Sequence, residues 1–179
     1  DDLGKRKEKP QTPEQLCLYG ASKLAFTNMA YSFFVGRNIR YSALRYFTLY
    51  GPGDENRIAA IPSAIRSFLQ GEAVICENPN NIWDYIYIDD AAEATVSVLK
   101  SEFRGIINIA SGIPRRMGDV FSVIANIMGC QKLLSFNNEE ICRIILVGDT
   151  DILNNKVGYR CQMEFREGLE NTIQWWKAK

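Results

Sequence analysis

Tyr19 and Lys23 stand four residues apart in a run that reads as helix, a spacing that puts both side chains on one face about one turn apart. A phenol with a pKa of about 10 is a weak base at neutral pH unless a neighbouring cation favours the phenolate. Lys23 is placed to be that cation, and the chemistry such a pair supports is general acid/base catalysis. With eight tyrosines among 179 residues, roughly 0.4 Tyr-x-x-x-Lys pairs arise by chance, so the bare spacing also fits an ordinary helix-surface pair. The chain has no histidine, which excludes Ser-His-Asp triads, Cys-His dyads and most zinc sites. Proton chemistry falls to Tyr, Lys, Asp, Glu or Cys. The five cysteines, Cys17, Cys76, Cys130, Cys142 and Cys161, have no metal-ligand spacing and read as reduced core residues, with no metal expected.

The elements that must hold Tyr19 and Lys23 follow from patterning. At 46% hydrophobic residues the chain can build a core, and its formal net charge of zero offers nucleic acid no clustered positive surface. No apolar run approaches the ~18 residues of a membrane span, and the first residues lack the pattern of a signal peptide. The expectation is a soluble, cytoplasmic protein with no membrane or nucleic-acid partner. Residues 1–13 are polar and read as a solvated loop, with a basic recognition patch around Lys5, Arg6, Lys7 and Lys9 as the alternative. Residues 14–35 predict one long helix with apolar residues on two sides, to be covered once by its own fold and once by a partner chain. Strands are predicted at 39–47, 73–76, 84–88, 105–110 and near 141–147, and helices at 58–70, 89–100, 118–128 and around Phe165 to Trp176. Asp89 and Asp90 are expected to cap the third helix, an Asn/Pro turn spans 78–81, and a second turn spans 111–114. Helices alternating with short strands make the class α/β.

Four ordered segments add to the pair: Tyr19-Gly20-Ala21-Ser22-Lys23, Leu44 to Gly53, Trp83-Asp84-Tyr85-Ile86-Tyr87-Ile88-Asp89-Asp90, and Ile107-Asn108-Ile109-Ala110-Ser111-Gly112. In this order and spacing they resemble the extended short-chain dehydrogenase/reductase family, the NAD(P)-dependent nucleotide-sugar epimerases and dehydratases. The resemblance implies that Tyr19 is the acid/base at a sugar hydroxyl and that Lys23 holds the cofactor ribose and lowers the tyrosine pKa. It points to Tyr46 and Phe47 as neighbours of the nicotinamide, although both also fit core positions at a strand end. It implies NAD or NADP as cofactor, a nucleotide-sugar as substrate, and a homodimer formed through the tyrosine-bearing helix.

Two positions depart from the family pattern. Thr48 stands where many members have an Asn that contacts the substrate phosphates, and Trp83 stands where many carry an Arg for the pyrophosphate. An indole cannot replace that charge, though it can stack on a base or a sugar. Arg143 is then a candidate for the diphosphate, with Arg115 and Arg57 as alternatives. No Gly-x-Gly-x-x-Gly or Gly-x-x-Gly-x-x-Gly occurs, so the turn that receives a dinucleotide pyrophosphate is missing. The chain is therefore expected to be the C-terminal portion of a Rossmann-type fold. In that reading 1–50 is the tail of the dinucleotide-binding domain, 51–179 is mostly substrate-binding domain, and 89–110 returns to the Rossmann sheet. Such a chain is expected to be inactive alone, and either joined to a longer polypeptide or self-associated. The alternative is a non-catalytic member of the same fold that binds a ligand or partner.

Overall fold

A computed structural model describes residues 18–137 and 142–179. Three stretches of the sequence reading fall outside them: the loop at 1–13, the first turn of the long helix with Cys17, and Ile141. The elements in chain order are α1 (Leu18–Val35), β1 (Ser42–Tyr46), β2 (Thr48–Tyr50), α2 (Ala60–Leu69), β3 (Val74–Cys76), β4 (Ile82–Tyr87) and α3 (Ile88–Lys100). They continue with β5 (Gly105–Ile109), β6 (Pro114–Arg116), α4 (Met117–Met128), β7 (Leu134–Phe136), β8 (Ile145–Leu146) and α5 (Phe165–Lys177). A π-helical turn at Ile152–Val157 precedes α5.

Of the run expected as a strand at 39–47, Ser42–Tyr46 forms β1, and the extended chain continues past it into a second sheet. β1 pairs in parallel with β5, from Ser42 opposite Gly105 to Tyr46 opposite Ile109. The Phe47 amide still donates to the Ile109 carbonyl at 3.0 Å, and from Thr48 onward the chain pairs in parallel with β4 instead. Alternation of side chains continues through such a change of partner, so the pattern carries no mark of it.

β4 is the hub. It takes β2 and β8 in parallel and β6 antiparallel, with Trp83 opposite both Arg115 and Leu146. Its period-two alternation serves two cores. Tyr85 and Tyr87 point into a cluster with Ile65 of α2, Ile124 of α4, and Leu169 and Ile173 of α5. Ile86 points into the other, with Ala94 of α3, Ile107 and Ile109 of β5, and Leu153 of the π-helical turn. Each fully buried aliphatic side chain contributes about 1.5–3 kcal/mol of transfer free energy, so losing the β4 register would strip both cores together.

The cluster around Tyr85 sets the response to alkali. Burial pushes the Tyr85 phenol up to about 12, and burial likewise raises Tyr50 and Tyr87. A phenol whose folded pKa lies above its unfolded value of about 10 gives stability that is complete below that value and is lost as pH rises through the folded pKa. The urea midpoint is expected to hold steady up to about pH 10 and to fall toward pH 12 together with growth of the phenolate ultraviolet band. A midpoint that holds steady through pH 12 would contradict this.

Five other expectations are corrected. Asp89 and Asp90 do not cap α3, whose N-cap is Tyr87 without a side-chain hydrogen bond. Asp90 is buried and turned to the C-terminal segment, accepting from the Tyr159 hydroxyl at 2.7 Å, the Gln162 amide at 2.8 Å and the Met163 amide at 3.1 Å. The turn at 111–114 is shorter than expected, because Pro114 already pairs with Asp84 as the first residue of β6. Of the strand near 141–147, only Ile145 and Leu146 form β8. Cys76 is buried and Cys130 and Cys161 are partly so, but Cys142 is exposed. The coverage expected for α1 is likewise not supplied by the described residues. None of its residues is buried, and Leu18 and Met29 are 87% and 70% exposed. The helix is held near its C-terminal end, where Phe34 stacks on Tyr41 with ring centroids 5.5 Å apart. No helix among the described residues is long and apolar enough to cross a membrane.

Candidate active site

Helix α1 realises the spacing read from the sequence. The Lys23 ammonium lies over the Tyr19 ring, 5.3 Å from its centroid, a cation–π arrangement across one turn. Ser22 and Thr27 fold their hydroxyls back onto the Tyr19 and Lys23 carbonyls at 2.8 and 2.9 Å, leaving the outward face to the phenol and the ammonium. Tyr19 is 71% exposed, and neither its hydroxyl nor the Lys23 ammonium has a hydrogen bond among the described residues. Those two groups fit the ribose end of a nicotinamide dinucleotide, since both are open to the same side of the helix. The described residues include no glycine-rich turn for its pyrophosphate.

Tyr46 and Phe47 lie at the end of β1 and are turned elsewhere. The Tyr46 hydroxyl meets Thr95 Oγ1 of α3 at 2.7 Å, and Thr95 itself donates to the Ala91 carbonyl at 2.7 Å. Tyr46 is therefore the donor in that pair. The Phe47 ring packs against Gly148, which has no room for a side chain because Ala110 and Phe47 already occupy the space. Within the chain, neither residue joins the Tyr19–Lys23 pair.

Thr48 and Trp83 do come together. With Tyr85, Met117, and the chain entering α2 at Ala59 to Pro62, they line a cleft of about 280 Å³ on one face of the β2–β4 sheet. Its walls are mostly apolar, and no cationic side chain lines it. Arg143 lies away from it. The Arg143 and Ile144 amides donate to Asn81 Oδ1 at 3.0 and 3.1 Å, which ties that segment to the start of β4.

The opposite face of β4 holds a residue for which the sequence reading proposed no role. Asp84 is 0% exposed, and its carboxylate accepts four hydrogen bonds. Oδ1 accepts from the Ser111 amide at 2.9 Å and the Ser111 hydroxyl at 2.7 Å; Oδ2 accepts from the Gly112 amide at 2.9 Å and the Gly148 amide at 3.0 Å. It fixes the 111–112 turn and Gly148 beneath the strand that carries Trp83 and Tyr85. The signal was an acidic residue inside a strand between two aromatics, a place where a carboxylate survives only if donors converge on it. Cys161 sits nearby in the same interior, its thiol donating to the Ala110 carbonyl at 3.6 Å and pushed up to about 12 chiefly by burial. It is a packed thiol and no nucleophile.

Known proteins resemble this chain in sequence and in fold. A family model described as the NAD dependent epimerase/dehydratase family matches residues 3–110, more than half of the chain. The chain is 24% identical over 173 residues to UDP-glucuronate 4-epimerase of Thermodesulfobacterium geofontis, covering 94% of this chain and 52% of that protein. It is 28% identical over 126 residues to ADP-L-glycero-D-manno-heptose-6-epimerase of Cupriavidus pinatubonensis, covering 62% of this chain and 37% of that protein. Among solved structures, dTDP-glucose 4,6-dehydratase of Bacillus anthracis in complex with NAD superposes with a TM-score of 0.84 at 20% identity, over 98% of this chain and 57% of that one. MoeE5 in complex with UDP-glucuronic acid and NAD gives 0.77 at 27% identity, over 89% of this chain and 55% of that one. The chain thus spans about half the length of the curated relative it matches over nearly its whole length. The α/β architecture, with its parallel β1–β5 and β2–β4 pairs, is that of the Rossmann-type structures it superposes on. On the family match and the shared fold, the chain belongs to the NAD dependent epimerase/dehydratase family.

Proposed function

We propose that the chain supplies the substrate cleft and the Tyr19–Lys23 pair of an NAD(P)-dependent enzyme that epimerises, dehydrates or reduces a nucleotide-sugar. The observation that carries the reading is the α1 pair, a phenol and an ammonium one turn apart with their polar groups uncommitted. Tyr19 moves a proton at a sugar hydroxyl, and Lys23 holds positive charge beside the phenol and reaches the cofactor ribose. The nicotinamide, when bound, takes or returns hydride at the sugar carbon. Thr48 and Trp83 serve the nucleotide-sugar in the cleft, Trp83 by stacking. Residues 1–50 and 89–110 belong with the dinucleotide-binding part and the remainder with the substrate part. The exposed apolar face of α1 is the surface of a homodimer, and the compartment is the cytoplasm. The 179 residues alone turn over no substrate, because they hold no glycine-rich turn.

A second reading, a non-catalytic member that binds a ligand, is favoured by the absence of a cation in the cleft wall. Calorimetric titration tests the cleft on which both readings rest, and turnover of a Tyr19→Phe variant separates them. The chain is expected to bind UDP-glucose or dTDP-glucose at micromolar to millimolar concentration and to show no heat with free glucose. If free glucose and the nucleotide-sugars behave alike, the cleft is not a nucleotide-sugar site.

A further inference from the structure

The chain holds one cation in a place that makes little sense for the chain alone. Arg115 lies on β6 directly opposite Trp83, and antiparallel partners project from the same face of a sheet. Its guanidinium carbon lies over Phe165, 3.8 Å from the ring centroid, and Phe165 in turn sits 6.1 Å from the ring of Tyr85, which lines the cleft. Arg115 is not part of the cleft lining but neighbours it through Trp83 and, by way of Phe165, Tyr85; Met117, two residues further on, and the carboxylate of Asp54 belong to that wall.

Arg115 Nε is buried without an acceptor, and its guanidinium has no ion pair among the described residues. The two carboxylates whose fields reach it are Asp84 and Glu164. Both are engaged elsewhere. Asp84 accepts its four hydrogen bonds on the far side of β4, and Glu164 caps α5 by accepting from the Glu167 amide at 2.9 Å. Burial lowers the Arg115 pKa from its ordinary value, yet a guanidinium stays charged at any working pH. Trp83 Nε1 is a second buried donor with no acceptor, on the cross-strand neighbour. Arg115 is half-buried, and dehydrating one edge of a cation without a counter-charge is unfavourable, a cost that an anion arriving from outside would offset.

We propose that Arg115 receives the phosphate groups of a ligand seated in the cleft, so that the charge which position 83 lacks is carried by the residue opposite it across the sheet. The proposal rests on the reading of the cleft as a nucleotide-sugar site and deepens it by naming its anion contact. A guanidinium fork suits bidentate contact with phosphate oxygens.

The test is calorimetric titration of the 179-residue chain with UDP, uridine and inorganic pyrophosphate, repeated on Arg115→Met and Arg115→Lys. Methionine keeps an apolar stem over Phe165, and lysine keeps the charge without the fork; either one, checked for native circular dichroism, carries the comparison if the other misfolds. The expected result is a 10- to 100-fold loss of affinity for UDP and pyrophosphate in Arg115→Met, a smaller loss in Arg115→Lys, and uridine affinity unchanged within about twofold. Equal UDP affinity in the wild-type chain and both variants overturns the assignment of Arg115 and leaves the cleft reading standing. Pyrophosphate binding that depends on Arg115, with UDP bound no more tightly than pyrophosphate, keeps the anion site and removes the nucleotide reading. If the wild-type chain binds neither UDP nor pyrophosphate, both are overturned.

Discussion

Replacing Asp84 with asparagine is expected to destabilise the fold by about 4 kcal/mol, the largest stability effect of any isosteric change at the site. The carboxylate has four acceptor positions filled by four donors, none longer than 3.0 Å. An asparagine amide keeps one acceptor oxygen and turns an NH₂ toward two of those donors, whichever way it is flipped. Two buried N–H groups, or one N–H and one hydroxyl, then face another donor, and each such group costs about 1–3 kcal/mol. Ser111→Ala removes one of the four hydrogen bonds, together with the bond the exposed Ile113 amide makes to the same hydroxyl, and is expected to cost about 1 kcal/mol. Urea unfolding of both variants checks the contrast. A loss under 1 kcal/mol for Asp84→Asn would mean that Gly112 and Gly148 find other acceptors and that β4 is not the anchor described above.

Tyr19→Phe, made in a polypeptide that also carries a glycine-rich cofactor half, is expected to lower kcat about a thousandfold while leaving the fold intact. The separation of the two effects follows from position. The phenol hydroxyl makes no hydrogen bond among the described residues and the side chain is 71% exposed, so its removal takes nothing from either core. Lys23→Met should raise the KM for the cofactor as well as lower kcat, because the proposed function gives the ammonium a role at both the ribose and the phenol. Turnover within threefold of wild type in Tyr19→Phe would remove the acid/base role and leave the ligand-binding reading in its place.

The α/β class, the positions of α2 to α5 and the Tyr19–Lys23 spacing were legible in the sequence because each depends on local patterning. What escaped depends on partners far along the chain. Phe47 could not be seen as the point where one extended run changes sheets, since the change is made by β4 and β5 arriving from residues 82–87 and 105–109. Pro114 to Arg116 could not be seen as a strand because three residues beginning with proline have no pattern of their own, and the pairing comes from β4. Asp90 looked like a helix cap because acidic residues at a helix start usually are; burial beside Tyr159, Gln162 and Met163 gave it a different use. Thr48 and Trp83 were singled out by their departure from a family pattern, and the cleft they share required the β2–β4 register. Arg143 was chosen among three arginines on no positional ground, and it lies outside that cleft.

Asp84 and Asp90 sit six positions apart, yet the partners of Asp84 extend 64 residues downstream to Gly148, and those of Asp90 extend 73 residues downstream to Met163. During synthesis both carboxylates therefore emerge long before the amides that satisfy them. Until residues 148 to 163 leave the ribosome, β4 and α3 keep two carboxylates in water at positions the folded molecule buries. The order of translation thus makes the interior around both aspartates wait for residues synthesised more than sixty positions after them.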